Sequence, residues 1–198
     1  MNLGLGLSLG STSSRPVYPK QDNGGPELLL QSAVSIAVQG VSEGTIVRHL
    51  AIPFLEIKQE IDRDSRFLFE FAKYPDRFEE FLASCYDKAG FDEVILTPRS
   101  GDKGRDVIAT MRGQLSIRIL DQAKAFSQGH KVGHNDIRAM LHVISNDRSA
   151  SKGYVTTTSE FASGIIKPDS DYAEYMPTRL QLRDGAALSK WIEELGKS

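Results

Sequence analysis

Apolar residues at Phe78, Phe81, Leu82, Cys85 and Ala89 recur at helical spacing, and Gly90 follows as a stop. The spacing predicts a helix from residue 75 to 89. Glu79 falls on the flank of its apolar stripe and Glu80 points away from it. Shorter runs follow at 93–97 (EVILT), 106–111 (DVIATM) and 115–124 (LSIRILDQAK). Turn residues separate them, PRSGDKG at 98–104 and Arg112-Gly113, so they read as three strands, the last two a hairpin. Helical spacing returns at 134–144 through Ile137, Met140, Leu141 and Ile144, and 153–158 (GYVTTT) reads as a strand. A strand, helix and strand of this length form a parallel crossover. A short helix at 160–166, a strand at 179–182 and a last helix at 186–195, burying Leu188, Trp191, Ile192 and Leu195, complete an α/β fold with a mixed sheet.

The region before residue 75 is less patterned. Residues 1–26 are rich in Gly, Ser and Pro and are expected to form a flexible tail. Residues 27–39 (ELLLQSAVSIAVQ) are a short apolar run whose period does not separate strand from helix. Residues 45–74 are mostly helical in tone, with Pro53 as a break, so 27–74 is expected to be a short helical extension of unknown role ahead of a domain at 75–198.

Composition narrows the function classes. With 40% hydrophobic residues, 25% charged residues and a net charge of −2, the chain is not a bulk-basic nucleic-acid binder. The charge is uneven, however: residues 54–93 carry 11 acidic and 6 basic residues, and residues 99–152 carry 10 basic and 5 acidic. One local basic segment can still grip a polyanion. The lone cysteine, Cys85, excludes an intramolecular disulfide or multi-cysteine metal site and suits a reducing compartment. No stretch approaches the roughly 18 apolar residues of a membrane span, and the start (MNLGLGLSLG) lacks the basic region of a signal peptide. A cytoplasmic protein without membrane contact is expected.

The chemistry concentrates in GDKGRD (101–106) and QAK (122–124). Side chains two apart on a strand share a face, so Gln122 and Lys124 point one way and Asp121 the other, and a hairpin brings Asp106 beside the pair. A carboxylate, a second oxygen donor and a lysine on one patch suit a hard cation acting on a phosphodiester, with Glu79 able to complete the donor set. Other readings are weaker. The glycine-rich turn at 100–104 lies between strands and lacks the GK[ST] of a phosphate loop. His130, His134 and His142 are too sparse for a zinc site. Cys85 and Trp191 read as packing residues, and Ser159 as a cap for the helix that follows.

Six blocks occur in order: FEEFLASCYDKAGF (78–91), TPRSGDKGRDVIA (97–109), DQAK (121–124), VGHNDIRAM (132–140), KGYVTTTSEF (152–161) and LRDGAALSKWIEEL (182–195). Together they make about 60% of the chain resemble the catalytic domain of the Mrr-type restriction endonucleases, within the PD-(D/E)xK nuclease superfamily. The resemblance implies a restriction-endonuclease-like mixed sheet flanked by helices. It also implies a DNA endonuclease of restriction or defence type, dependent on Mg²⁺ with Mn²⁺ as a substitute. Its active-site positions fall on Glu79, Asp106, Gln122 and Lys124, with Glu79, Asp106 and Gln122 as metal ligands. Arg99, Lys103, Arg105, Lys131, Lys152, Thr157 and Ser159 are candidate DNA contacts.

The chain departs from the family pattern at Asp121, where an apolar residue is usual. That carboxylate either makes the other face of the sheet wet or pairs with a basic neighbour. The 27–74 segment is too short for a winged-helix reader domain, so target specificity does not carry over. A single site cuts one strand, so double-strand cleavage calls for a homodimer or two visits. A nuclease without a reader calls for an activating partner or trigger. A structure-specific repair or recombination nuclease, and a non-catalytic DNA- or protein-binding member of the same fold, stay open as alternatives.

Overall fold

The strand β5 (Ile117–Lys124) organises the computed structural model, which describes residues 26–98 and 104–197. On one side β4 (Val107–Met111) pairs with it antiparallel, Val107 opposite Asp121 and Met111 opposite Ile117. On the other side β7 (Lys152–Thr157) pairs with it in parallel, Ile119 opposite Lys152 and Lys124 opposite Thr157. The chain reaches β7 through α4 (His134–Asn146), the crossover helix that the periodicity predicts. With β3 (Glu93–Leu96), β9 (Leu180–Arg183) and the hairpin β1 (Ser35–Val41) and β2 (Gly44–His49), the sheet has, among the described residues, seven strands in the order β1-β2-β3-β4-β5-β7-β9. The short strands β6 (Lys131–Val132) and β8 (Glu160–Phe161) pair separately.

Alternation along the strands loads both faces. Ile108, Leu120 and Val155 pack with Ile137, Met140, Val143 and Ile144 of α4. Val107, Ala109 and Ile119 pack with Leu82, Ala83 and Tyr86 of α3 (Pro75–Lys88). A further cluster joins Phe54, Ile57 and Ile61 of α2 (Ala51–Arg63) and Phe67 and Phe71 of a 3₁₀ segment (Ser65–Lys73) to Phe78 and Phe81 of α3 and Leu188 and Ile192 of α5 (Gly185–Leu195). Phe81 stacks on both Phe54 and Phe71, at centroid separations of 5.5 and 5.4 Å. Residues before 75 thus share a core with those after it.

Two local expectations change. The 27–74 segment is helical in α1 (Pro26–Gln31) and again from residue 51 to 73, but the intervening run is the β1–β2 hairpin. A short apolar run takes its state from its tertiary partner, and here Thr45 and Ile46 pair with Leu96 and Ile95. The helix expected at 160–166 is absent, because Glu160 and Phe161 pair with β6 and Gly164 turns the chain at φ 96°.

Gly44 holds the hairpin to the main sheet. Its φ is 153°, and a Cβ there would overlap the carbonyl oxygen of Leu96. Gly44→Ala is expected to destabilise the protein by at least about 2 kcal/mol, combining backbone strain with overpacking. Urea unfolding reads this directly, and an unchanged midpoint would mean β2 is not held against β3 as described. Among the described residues no helix is long and apolar enough to cross a membrane.

Candidate active site

Asp106 precedes β4 and is tied to β5 on both sides of Gln122. Its N–H donates to Asp121 O (2.9 Å), and its Oδ2 accepts from the Ala123 N–H (2.7 Å). Its carbonyl accepts from the Thr97 N–H at the end of β3 (3.0 Å). Gln122 lies between these ties, half-buried, and its Oε1 is buried without a hydrogen-bond partner. Two residues on, the carbonyl of Lys124 accepts from Thr157 Oγ1 (2.8 Å) and from the Thr158 N–H (3.2 Å). Lys124 Nζ is 3.0 Å from Asp136 Oδ1 in the first turn of α4. Gln122 and Lys124 lie on the same face as Leu120, the α4 side of the sheet.

Glu79 comes to this end of the sheet from the other side. It stands one turn before Leu82 and Ala83, which pack in the cluster of Val107. Its neighbours Arg77 and Glu80, paired at 2.7 Å, line a cleft with Leu96, Thr97 and Pro98. The amino-terminal turns of α3 therefore lie where β3 hands over to Asp106.

Asp121 points to the α3 face, as strand alternation predicts, and is completely buried. Its Oδ2 accepts from Tyr86 Oη (2.7 Å) and Thr156 Oγ1 (2.8 Å), and Arg183 Nη1 stands 3.7 Å away. Of the two outcomes expected for this carboxylate, the structure has the basic neighbour. Burial pushes the Asp121 carboxyl up to about 6, against the pull of Arg183 and the two hydroxyls. The Arg183 guanidinium lies 3.9 Å over the Trp191 ring and 4.8 Å over Tyr154. Burial likewise pushes the Cys85 thiol up, in keeping with a packing residue.

The catalytic-domain model Mrr_cat, described as a restriction endonuclease, matches residues 73–192, more than half of the chain. The chain belongs to the Mrr_cat restriction endonuclease family. Three solved structures are also similar to it. The DNA modification-dependent restriction endonuclease AspBHI is 16% identical over 71% of this chain and 36% of its own, with a TM-score of 0.48. The restriction endonuclease FokI is 13% identical over 73% and 31%, with a TM-score of 0.46. The MspJI restriction endonuclease, in complex with a 27-mer oligonucleotide, is 18% identical over 71% and 30%, with a TM-score of 0.38. The chain thus spans about a third of the length of each. No curated protein matches it.

On this Mrr_cat fold the candidate DNA contacts separate. Arg99 and Lys103 lie outside the described residues. Arg105 is drawn inward instead of facing a groove: it pairs with Glu43 (2.9 Å) and Asp147 (3.5 Å), and its side chain is 12% exposed. Lys152 opens β7 opposite Ile119, at the far end of the strand from Lys124. The Thr157 hydroxyl is buried, donating to Lys124 O and accepting from the Ser159 N–H, so it fastens the strand end. Ser159 caps no helix; it is buried beside a cleft with Lys131, Asp184 and Gly185. Lys131 is half-exposed and pairs with Glu160 at 2.7 Å.

Two pairings have no counterpart in the sequence pattern. Asp136 carries a capping signal, an acid three residues after Gly133, but nothing local ties it to Lys124. Arg183 has no local signal for its pairing with Asp121.

Proposed function

We propose that this chain is a metal-dependent DNA endonuclease of restriction type that hydrolyses phosphodiester bonds at the Asp106–Gln122–Lys124 site, with Glu79 contributing from α3. The observation that carries the reading is the Gln122 amide oxygen, buried without a partner and bracketed by the backbone ties of Asp106. Leaving such an oxygen unpaired costs roughly 1–3 kcal/mol, a cost that a bound cation would offset.

A hard cation fits that oxygen. Asp106, Gln122 and Glu79 offer oxygen donors of the kind Mg²⁺ takes, and Mn²⁺ accepts the same set. Among the described residues no group of three or more His, Cys, Asp or Glu is placed to hold a metal ion. An ion held by Asp106, Gln122 and Glu79 would keep several waters and share its remaining positions with phosphate oxygens. Bound there, the ion would supply Lewis-acid polarisation of the phosphodiester. The side chains do the rest. Lys124 presents an ammonium on the same face as Gln122, a group able to orient the attacking water and to stabilise charge developing on the phosphate. The Ala123 N–H holds the Asp106 carboxylate in one orientation. DNA is the substrate, a second copy or a second visit serves the second strand, and the protein acts in the cytoplasm.

Gln122→Leu separates a functional oxygen from a structural one. Leucine keeps most of the volume and removes the unpaired group, so the variant is expected to melt at or above the wild-type temperature. Its cleavage of plasmid DNA should fall by about 100-fold or more. A variant that cuts at the wild-type rate would remove Gln122 from the site.

A further inference from the structure

Lys124 is restrained at both ends. Its carbonyl is held by Thr157 Oγ1 and the Thr158 N–H, and its ammonium by Asp136 Oδ1. Asp136 is itself anchored, because its other carboxylate oxygen, Oδ2, accepts from the Gly133 N–H at 3.1 Å. One carboxylate thus bridges the first turn of α4 to the lysine on β5. Both side chains are about three-quarters buried, at 23% and 27% exposure, so the pair is not a solvent-screened surface contact.

Resting on the endonuclease reading above, we propose that Asp136 is a positioning residue for Lys124, fixing where the ammonium stands before DNA arrives. A lysine has a long flexible stem and a compact charge, and left alone it samples many rotamers. A fixed carboxylate across from it removes that freedom in advance, so the ordering need not be done when the phosphate binds. The crossover connection has a part in this. By bringing the start of α4 back over the carboxyl-terminal end of β5, it places an acid beside a lysine that lies on a different element. The contact also leaves the Gln122 oxygen unclaimed, since the lysine is drawn to α4 instead of to its strand neighbour.

Asp136→Asn is the informative change. An amide oxygen can still accept from the Gly133 N–H, so the helix start is kept while the charged partner of Lys124 is lost. The turnover number on DNA should fall by about 10- to 100-fold, the range for small misplacement of a reacting group. The KM for DNA should stay within about twofold, because Asp136 is not assigned to bind the substrate. Asp136→Glu, which restores a carboxylate, should recover part of the turnover. The melting temperature of each variant, measured alongside, reports on the helix start. A turnover equal to or above that of the wild type, or a rise in KM alone, overturns the positioning role. So does a loss in the asparagine variant that the glutamate variant does not relieve. If the wild type cuts while Asp136→Asn is unaffected, this inference fails and the endonuclease reading stands. If the wild type itself cuts no DNA with any divalent metal, both fail.

Discussion

Arg183→Met is expected to lower the unfolding free energy by about 3–5 kcal/mol, the range for removing one partner of a buried ion pair. Methionine keeps an apolar stem against Trp191 and Tyr154, so the loss reports the missing guanidinium more than a cavity. What is left behind is Asp121, with no solvent exposure and with neutral donors from Tyr86 and Thr156 in place of a charged one. The deficit depends on pH, and its sign follows from Asp121. Burial pushes that carboxyl up to about 6, above its unfolded value of about 3.9. The folded state therefore holds the proton more tightly, and the stability from this group is fully present below about pH 4 and is lost as pH rises through about 6. Without Arg183 the carboxylate is harder still to ionise, so the gap between variant and wild type should be wider at pH 8 than at pH 5. Urea unfolding at the two pH values measures it. A variant as stable as the wild type at pH 8 would show that the buried pair is not formed.

Asp106→Asn has the largest expected effect on activity. The amide oxygen can still accept from the Ala123 N–H, and the backbone ties to Asp121 and Thr97 do not involve the side chain, so the fold is kept. The lost charge is the one the proposed cation needs most, and cleavage should fall by at least about 10³-fold. DNA binding should be retained or tightened, since a negative charge leaves a surface that meets a polyanion. Gel-shift titration and plasmid cleavage on the same preparation separate the two effects. Parallel loss of binding and cleavage would point instead to a role in holding DNA or the fold.

Much of the carboxyl-terminal two-thirds was legible because period and punctuation agree there. The strands β3, β4 and β5, the α4 crossover and the final helix stand within about two residues of where the apolar pattern puts them. The same period-2 rule that pairs Gln122 with Lys124 sends Asp121 to the opposite face, so that alternation, and the strand pairing that sets Asp106 beside Gln122, could be read without coordinates. The β1–β2 hairpin could not be. Its apolar run is too short to declare a period, and its strand state comes from Ile95 and Leu96, far along the chain. The expected helix after Ser159 failed for the same reason, with β6 as the partner that decides. Charge pairing was the least legible feature. Arg105 looked like a groove residue until Glu43 and Asp147 were found around it, and Asp136 and Arg183 acquire their meaning only through partners on other elements.

If the face carrying Asp106, Gln122 and Lys124 hydrolyses DNA with a divalent metal, as proposed, cleavage must depend both on the metal and on the Asp106 carboxylate. Supercoiled plasmid, unmodified and base-modified, incubated with the wild type in Mg²⁺, Mn²⁺ or EDTA beside Asp106→Asn, tests it most directly. Nicking or linearisation of at least one plasmid form is expected with metal, with none in EDTA and none with the variant. Cleavage that persists in EDTA, or that Asp106→Asn performs as well as the wild type, would contradict the proposal.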